Sequence, residues 1–492
     1  MTALAPGRSG RAAVRPTRTG RVLTFVAAVV MAGAAAFSGM STAGTDRRLV
    51  IVPLAAVLAG VLATLAFTRF AAFVLLILGA RASIDLFKLS GPSSGNTLTN
   101  TAVARGLDPS SILAVLFLLA AALWLIAQYA RTGHLRGSRL RLALVCFSVA
   151  GFVGLPGSSQ PQASALEALR ILSVVMMYVV LEQLITTPEM LRKVLTAAYA
   201  SLVFPLLYQL YSIASGHSAS EVLGSYTRLT GPFAQANTFA RYLAFMIVFG
   251  VGILPCVSRR ARMALAPMLA LSGVFLILTL TRGALIGAVV GIVIIGIVQR
   301  SKVVLGGVAV GILAAAVAFP SVGSRFSEIG TSSTAGGAPT GNTLAWRLNY
   351  WTEVLPLANA NPVTGIGLNV TQYETDAAKQ PHNDFIRAYV ETGALGLVTY
   401  IAMLLAMVGN ARRAVSRSRP GTLERGVAAG ALGCAWCYIL TSLAANVMSN
   451  VVSLWYLITF TAAAAYVARQ HNPYPTHNPA LPSPARSGAV QR

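Results

Sequence analysis

Apolar positions in this chain come in long unbroken runs, and polar positions gather in the connectors between them. A membrane-spanning helix needs about 20 consecutive, mostly apolar residues. Runs of that kind recur about fourteen times, near residues 22–40, 50–67, 69–84, 111–130, 140–156, 166–186, 194–214, 236–257, 263–281, 283–298, 302–320, 392–410, 426–446 and 450–468. The pair within 50–84 also fits one span plus a re-entrant piece. The pattern predicts an all-α polytopic membrane protein over residues 21–469, with about 12–14 transmembrane helices.

The pattern lapses at both ends and in three longer connectors. Residues 1–20 are basic and rich in Gly, Pro and Thr, and residues 470–492 (PYPTHNPALPSPARS) are Pro-rich; both read as disordered tails. The basic start resembles a signal peptide, but the later spans predict a retained first helix. The longer connectors are 85–110, 215–235 and 321–391. The last opens with a stretch expected to be disordered, GTSSTAGGAPTGNT (330–343), and then regains a pattern. AWRLNYWTEVLPLA (345–358) has apolar residues at helical spacing and stops at NANPVTGIG. HNDFIRAYVETGALG, from His382, puts Phe385, Ile386, Tyr389 and Val390 on one side and runs through Gly393 into the next span. Amphipathic helices of this kind lie on a membrane surface or cap a cavity.

Composition agrees: 55% of residues are hydrophobic, 11% are charged and the mean hydropathy is +0.68, where a soluble domain carries about 25% charged residues. The net charge of +24 changes the picture only by its distribution. Basic clusters fall on alternate connectors, at Arg8 to Arg21, Arg131 to Arg141, Arg259 to Arg262, Arg300 with Lys302, and Arg412 to Arg425. That is the positive-inside pattern: both termini are expected in the cytoplasm, and nucleic acid is not a partner. Cys434 and Cys437 lie within one apolar run with Cys146 and Cys256 in or beside others, which favours buried thiols over zinc or redox chemistry. The four lysines never follow glycine, so there is no P-loop, and no two aspartates stand as D-x-D.

Against this background a few polar residues stand out. Arg170 is one turn into a span entered from outside, Arg241 lies near the outer end of another, and Arg282 caps a third. Arg347 and His382 belong to the long outer connector, so topology brings all five to one level. An arginine at a helix centre in a membrane costs on the order of 2.5–3.5 kcal/mol, less near the interface. Glu167 offers Arg170 a partner one turn away, whereas Arg241 and Arg282 have no such neighbour, which favours an anionic ligand. A planar guanidinium matches phosphate oxygens, and two or three suit a diphosphate. The competing readings are interfacial anchoring for Arg170 or Arg241 alone, close helix packing for Gly283, Gly287 and Gly291, and an ordinary surface histidine for His382.

QPHNDFIRAYVETGALGL (380–397) resembles the signature of the O-antigen ligase and polymerase family, in which a His-Asn pair opens a helix running to Glu-x-Gly-x-x-Gly. GPFAQANTFARYL (231–243), LTLTRGALIG (278–287) and RLNYWTEVLPLANANPVTGIG (347–367) agree in content and order. The departures are Thr281 where a serine is common and Ala236 where a proline often precedes Asn237. The resemblance covers about residues 160–410 and implies a GT-C-like helical fold and a membrane glycosyltransferase that needs neither metal nor nucleotide cofactor. Its donor would be a glycan on a polyprenyl diphosphate, taken at the outer face of the cytoplasmic membrane, and its acceptor another glycan or a lipid.

The chemistry suits the residues. A polyprenyl diphosphate leaves with added negative charge, which Arg282, Arg241 and Arg170 would stabilise. The acceptor hydroxyl needs a general base, and His382, expected to titrate near neutrality, is the candidate. Arg347 is assigned to the diphosphate or the incoming glycan. Asn383 and Glu391 would orient the histidine or its helix, with helix capping an equal alternative for Asn383, and Asn237 is a supporting residue. Two other readings remain: a lipid-linked glycan flippase or other secondary transporter, with charges at mid-membrane depth, and a non-catalytic partner of polysaccharide-assembly proteins.

Overall fold

The structure is a computed structural model that describes residues 60–87, 109–216, 219–223, 226–318, 334–335, 338–339 and 344–470. Both tails, the span expected at 22–40 and most of the stretch expected to be disordered at 330–343 lie outside the described residues. The chain divides at Phe73/Val74. Up to Phe73 only residues 60–73 are described, and 60–68 are helical.

The main unit is built from α1 (Phe70–Ile84, which begins before the division), α2 (Pro109–Thr132), α3 (Arg139–Val153), α4 (Pro161–Leu184), α5 (Pro188–Ala200), α6 (Val203–Ala214), α7 (Ala236–Ile253), α8 (Arg259–Leu278), α9 (Arg282–Gln299), α10 (Lys302–Ala318), α11 (Leu344–Val354), α12 (Asp384–Ser416), α13 (Leu423–Ser442) and α14 (Val451–Arg469). Eight runs among the described residues are long and apolar enough to cross a membrane, counting α5 with α6 as one, and α1 and α10 are shorter apolar helices. The protein is an all-α, multi-pass membrane protein. Local sequence sets many boundaries. Pro161 and Pro188 open α4 and α5, where a missing N–H costs nothing, and Ser138, Thr187, Ser258 and Thr422 cap α3, α5, α8 and α13 with side-chain oxygens.

The centre of the bundle is α7, α13 and α14, with α4, α9 and α12 packed around them. α13 is buried along almost its whole length by small residues, because a helix surrounded by protein needs close approach more than greasy side chains. A Cβ on Gly287 would meet the carbonyl of Cys437 at 3.0 Å, and one on Gly291 that of Gly433 at 2.8 Å. The packing reading therefore holds for those two glycines. It fails for Gly283, where a Cβ would meet nothing. The four cysteines are free thiols, with Cys434 and Cys437 buried.

Two ends of the bundle are distinguished by what crosses between helices. At one end Arg469 pairs with Glu182 at 3.2 Å, the Arg136 amide donates to Gln183 at 2.8 Å and Arg425 donates to the carbonyl of Val298 at 3.1 Å. The arginine-rich connectors lie here. At the other end the connectors 154–160, 219–235, 279–281, 355–383 and 443–450 come together.

That second end is organised by a break in α12. Gly393 has φ 65° and ψ −168°, so the helix stops and restarts there. The break frees backbone groups that must find partners, and the NPVTGIG loop supplies them. Ile366 and Gly367 donate to the carbonyls of Val390 and Glu391, both at 3.0 Å, while Ala394 donates to the carbonyl of Pro362 at 2.8 Å. The loop passes so close that a Cβ on Gly393 would sit 2.2 Å from the Val363 carbonyl oxygen. The spacing Glu-x-Gly and the Gly-x-Gly loop are two halves of one joint. The connector expected only as an outer segment at 215–235 contains a hairpin, β1 (Ser220–Leu223) against β2 (Tyr226–Leu229), with Glu221 opposite Arg228.

Candidate functional site

His382 sits in the two-residue step before α12, in the left-handed region at φ 55°. A non-glycine residue stays there only when its surroundings hold it, and three neighbours do. Trp351 of α11 donates through Nε1 to the Pro381 carbonyl at 2.7 Å. Asn383 caps α12, its Oδ1 accepting from the amides of Phe385 and Ile386 at 2.9 and 3.2 Å. Of the two roles open to Asn383, the cap is the one formed. The buried Asp384 carboxylate accepts from the amides of Val447 and Met448 at 3.0 and 3.2 Å, tying the start of α12 to the connector between α13 and α14.

That connector, residues 443–450, is where the side chains of the site converge. The amide of Asn446 lies 3.4 Å from Nδ1 of His382. Arg241 donates through Nη1 to the carbonyl of Asn446 at 3.0 Å, and Arg347 through Nη1 to that of Ala444 at 2.9 Å. Nε of both arginines is buried with no partner among the described residues. Arg282, at the first position of α9, is within charge–charge range of Arg347. Trp346 meets the imidazole edge-on at 6.2 Å, stacks on Tyr350 at 4.9 Å and carries the ammonium of Lys379 over its ring at 5.1 Å.

Electrostatics follow from this crowding of cations. Burial first, then Arg347, Arg241 and Lys379, push His382 down to about 4. The expected titration near neutrality is thus displaced downward, because burial and then positive neighbours disfavour a further positive charge, and the imidazole is neutral well below pH 7. Burial, with Arg282 beside it, also lowers Arg347.

A second arginine centre lies nearby and is built differently. Arg387, fully buried, donates through Nε to Glu391 at 2.8 Å and through Nη2 to Glu167 at 3.0 Å, with Nη1 on the Ser449 hydroxyl. Glu391 also accepts from the Asn369 amide at 2.7 Å and the Thr371 hydroxyl at 3.0 Å. It therefore fixes the loop that runs to His382. Arg170 pairs with Glu167 at 3.1 Å, the partner expected of it, and its side chain is 56% exposed against 1% for Glu167. It is joined to the Arg387 centre, and no bond among the described residues links it to His382.

Thus Arg241, Arg347 and His382 meet through one connector, and Arg282 adjoins them. Asn237 belongs to a third group, its Oδ1 accepting from Arg228 at 2.7 Å. The sequence reading missed Arg228, Arg387, Asp384 and Asn446. Arg387 and Glu391 stand at helical i,i+4 spacing, a signal that was present in the sequence. Asn446 had none, in an eight-residue connector without charge.

The O-antigen ligase family model matches residues 267–401, which include Arg282, Arg347, His382, Asn383 and Glu391. Arg170, Asn237, Arg241 and Asn446 lie outside the match. No curated protein matches the chain. Over the stretch that carries the histidine step, the Gly393 joint and two of the arginines, the chain is similar to the O-antigen ligase family, a likeness that suggests a membrane enzyme of surface-polysaccharide assembly.

Proposed function

We propose that the protein transfers a glycan from a polyprenyl diphosphate to a sugar hydroxyl, at the outer face of the cytoplasmic membrane and with inversion at the anomeric carbon. The observation that carries this reading is a pair of guanidiniums, Arg241 buried and Arg347 half-buried, each hung by one nitrogen from the 444–446 backbone beside a neutral histidine and each with a buried Nε that has no partner among the described residues. A buried cation with an unused donor is costly unless an anion completes it, and two guanidiniums offer the planar forks that phosphate oxygens prefer.

In the proposed step the Asn446 amide turns its otherwise unpartnered oxygen to accept from Nδ1–H of His382, which leaves Nε2 free to take the proton of the acceptor hydroxyl. The oxygen attacks the anomeric carbon opposite the diphosphate, the bond between that carbon and the bridging diphosphate oxygen breaks, and its electron pair leaves with the polyprenyl diphosphate. Arg241, Arg347 and Arg282 receive the growing charge, the largest single kind of catalytic stabilisation in such sites. In this account the guanidiniums supply the countercharge and the reaction runs without metal. Arg170, exposed and paired with Glu167, takes no part in this step. The arginine-rich connectors at the opposite end of the bundle support a site on the outer side and both termini in the cytoplasm.

A reconstituted assay tests the reading: wild type and His382→Ala with polyprenyl-diphosphate glycans and EDTA, products sized on a gel. Wild type is expected to lengthen or move the glycan, and the variant to lose about 10²–10⁴-fold of the rate. Equal rates would remove His382 as the base. If wild type itself transfers nothing, flipping of the lipid in vesicles becomes the next measurement.

A further inference from the structure

Arg228 is 3% exposed, and its guanidinium joins three separate parts of the chain. Nε donates to the Thr279 carbonyl at 2.8 Å, Nη1 to Glu221 at 2.9 Å, and Nη2 to both Asn237 Oδ1 at 2.7 Å and Thr281 Oγ1 at 2.8 Å. The acceptors lie on its own hairpin, at the start of α7 and in the turn between α8 and α9.

That turn is shaped by the contact. Leu280 lies in the left-handed region at φ 51°, a conformation a branched apolar residue adopts at a cost of about 1–2 kcal/mol. The carbonyl before it and the hydroxyl after it are both held by Arg228. Thr281 occupies the N-cap of α9 but makes no side-chain cap bond. Its hydroxyl is turned to Arg228 and Asn237 instead. The first amides of α9 thus keep no side-chain cap and, with Arg282 at the first helical position, present positive potential at the end that already holds Arg241 and Arg347. Arg228 lies within charge–charge range of Arg241 as well.

We infer that Arg228 is a positioning residue of the donor site: through Thr279, Thr281 and Asn237 it fixes the turn that presents Arg282, and the 219–230 hairpin is part of the apparatus that receives a diphosphate. Glu221, whose side chain is 31% exposed, offsets part of the Arg228 charge and so sets the strength of the site. Asn237 and Thr281, two positions of the family-like motifs, act as ligands of Arg228. The inference rests on the donor proposed above, and its test is a binding measurement that needs no turnover.

The full-length protein in nanodiscs is titrated with undecaprenyl diphosphate carrying no glycan, at low ionic strength. Arg228→Gln is expected to weaken binding by about tenfold or more, as the turn relaxes and a charge is lost, with Arg228→Lys recovering part. Glu221→Gln, at a partly exposed position, is expected to tighten binding by about threefold, an effect that fades with salt. These opposite signs separate positioning from mere support of the fold, which would weaken both. If wild type binds and Arg228→Gln binds equally well, or if Glu221→Gln weakens binding, the inference falls while the donor reading stands. Failure of wild type to bind would remove the donor reading and the inference together.

Discussion

Arg387 and Arg241 are both buried arginines near the same end of the bundle, and they are satisfied in opposite ways. Arg387 is enclosed by two carboxylates and a hydroxyl that use all three of its nitrogens. Arg241 has a carbonyl on one nitrogen, no ion pair, and an Nε with no partner among the described residues. The Asp384 carboxylate, within charge–charge range of Arg241, is engaged by the amides of Val447 and Met448. Removing a partner from a complete buried ion-pair network leaves uncompensated charge, whereas removing an incompletely paired cation relieves a cost already present. Burial alone therefore does not tell a structural arginine from a functional one. The nitrogens left unused tell an arginine open to a ligand from one that holds the chain in place, as Arg387 and Arg228 do.

Arg387→Met sharpens the contrast most. It strands Glu167 and Glu391 in the core and should destabilise the protein by about 3–5 kcal/mol, read as a large fall in the detergent melting temperature before any activity is considered. A melting temperature equal to wild type would show that the two carboxylates find other partners and that the triad is not structural. Arg241→Gln and Arg347→Gln should behave in reverse. Each leaves the melting temperature unchanged or higher, and each lowers kcat/KM for the lipid-linked donor by about ten- to a hundredfold, the worth of a hydrogen bond to a charged group. Loss of stability without loss of donor kcat/KM would make these arginines structural after all.

What the sequence disclosed follows the same division. The apolar runs that became α2, α4, α7, α8, α9 and α14 were readable because lipid and core both demand apolar length. The break at Gly393 was not foreseen, since the helix was read as running through it, although only glycine fits a left-handed break pressed against the Val363 backbone. His382 and the arginines at 241, 282 and 347 stood out as polar breaks in that pattern. Arg170 stood out equally, yet its guanidinium is paired and faces outward, since a helical period fixes which face a residue is on but not which face meets the site. Asn446 and Arg228 were invisible for a different reason. The first is an uncharged residue in a short connector that contributes mostly backbone carbonyls, and the second needed a hairpin that a loop-like composition did not announce. Sites assembled from turns draw on backbone groups, which sequence does not distinguish.

The smallest expected effect is on pH, and it tests whether the cations around His382 are waiting for an anion. In the free protein burial, and after it those cations, hold the histidine at about 4. A depressed pKa leaves the proton-free base fully present above that value and removes it as pH falls through it, so kcat/KM should be flat from about pH 5.5 to 8 as far as this group is concerned. Donor diphosphate brings opposite charge to Arg241 and Arg347, relaxing their repulsion of the imidazolium and returning the histidine toward its ordinary value of about 6.5. The acidic limb of kcat, which reports the complex, should then lie at higher pH than the limb of kcat/KM, which reports the free enzyme. Arg347→Gln removes the cation with the largest effect on His382 and should shift the kcat/KM limb upward, narrowing the gap. Coincident limbs in the wild type would mean that the diphosphate does not neutralise the charges that surround the base, and the shared role of Arg241 and Arg347 as its receptors would fail with it.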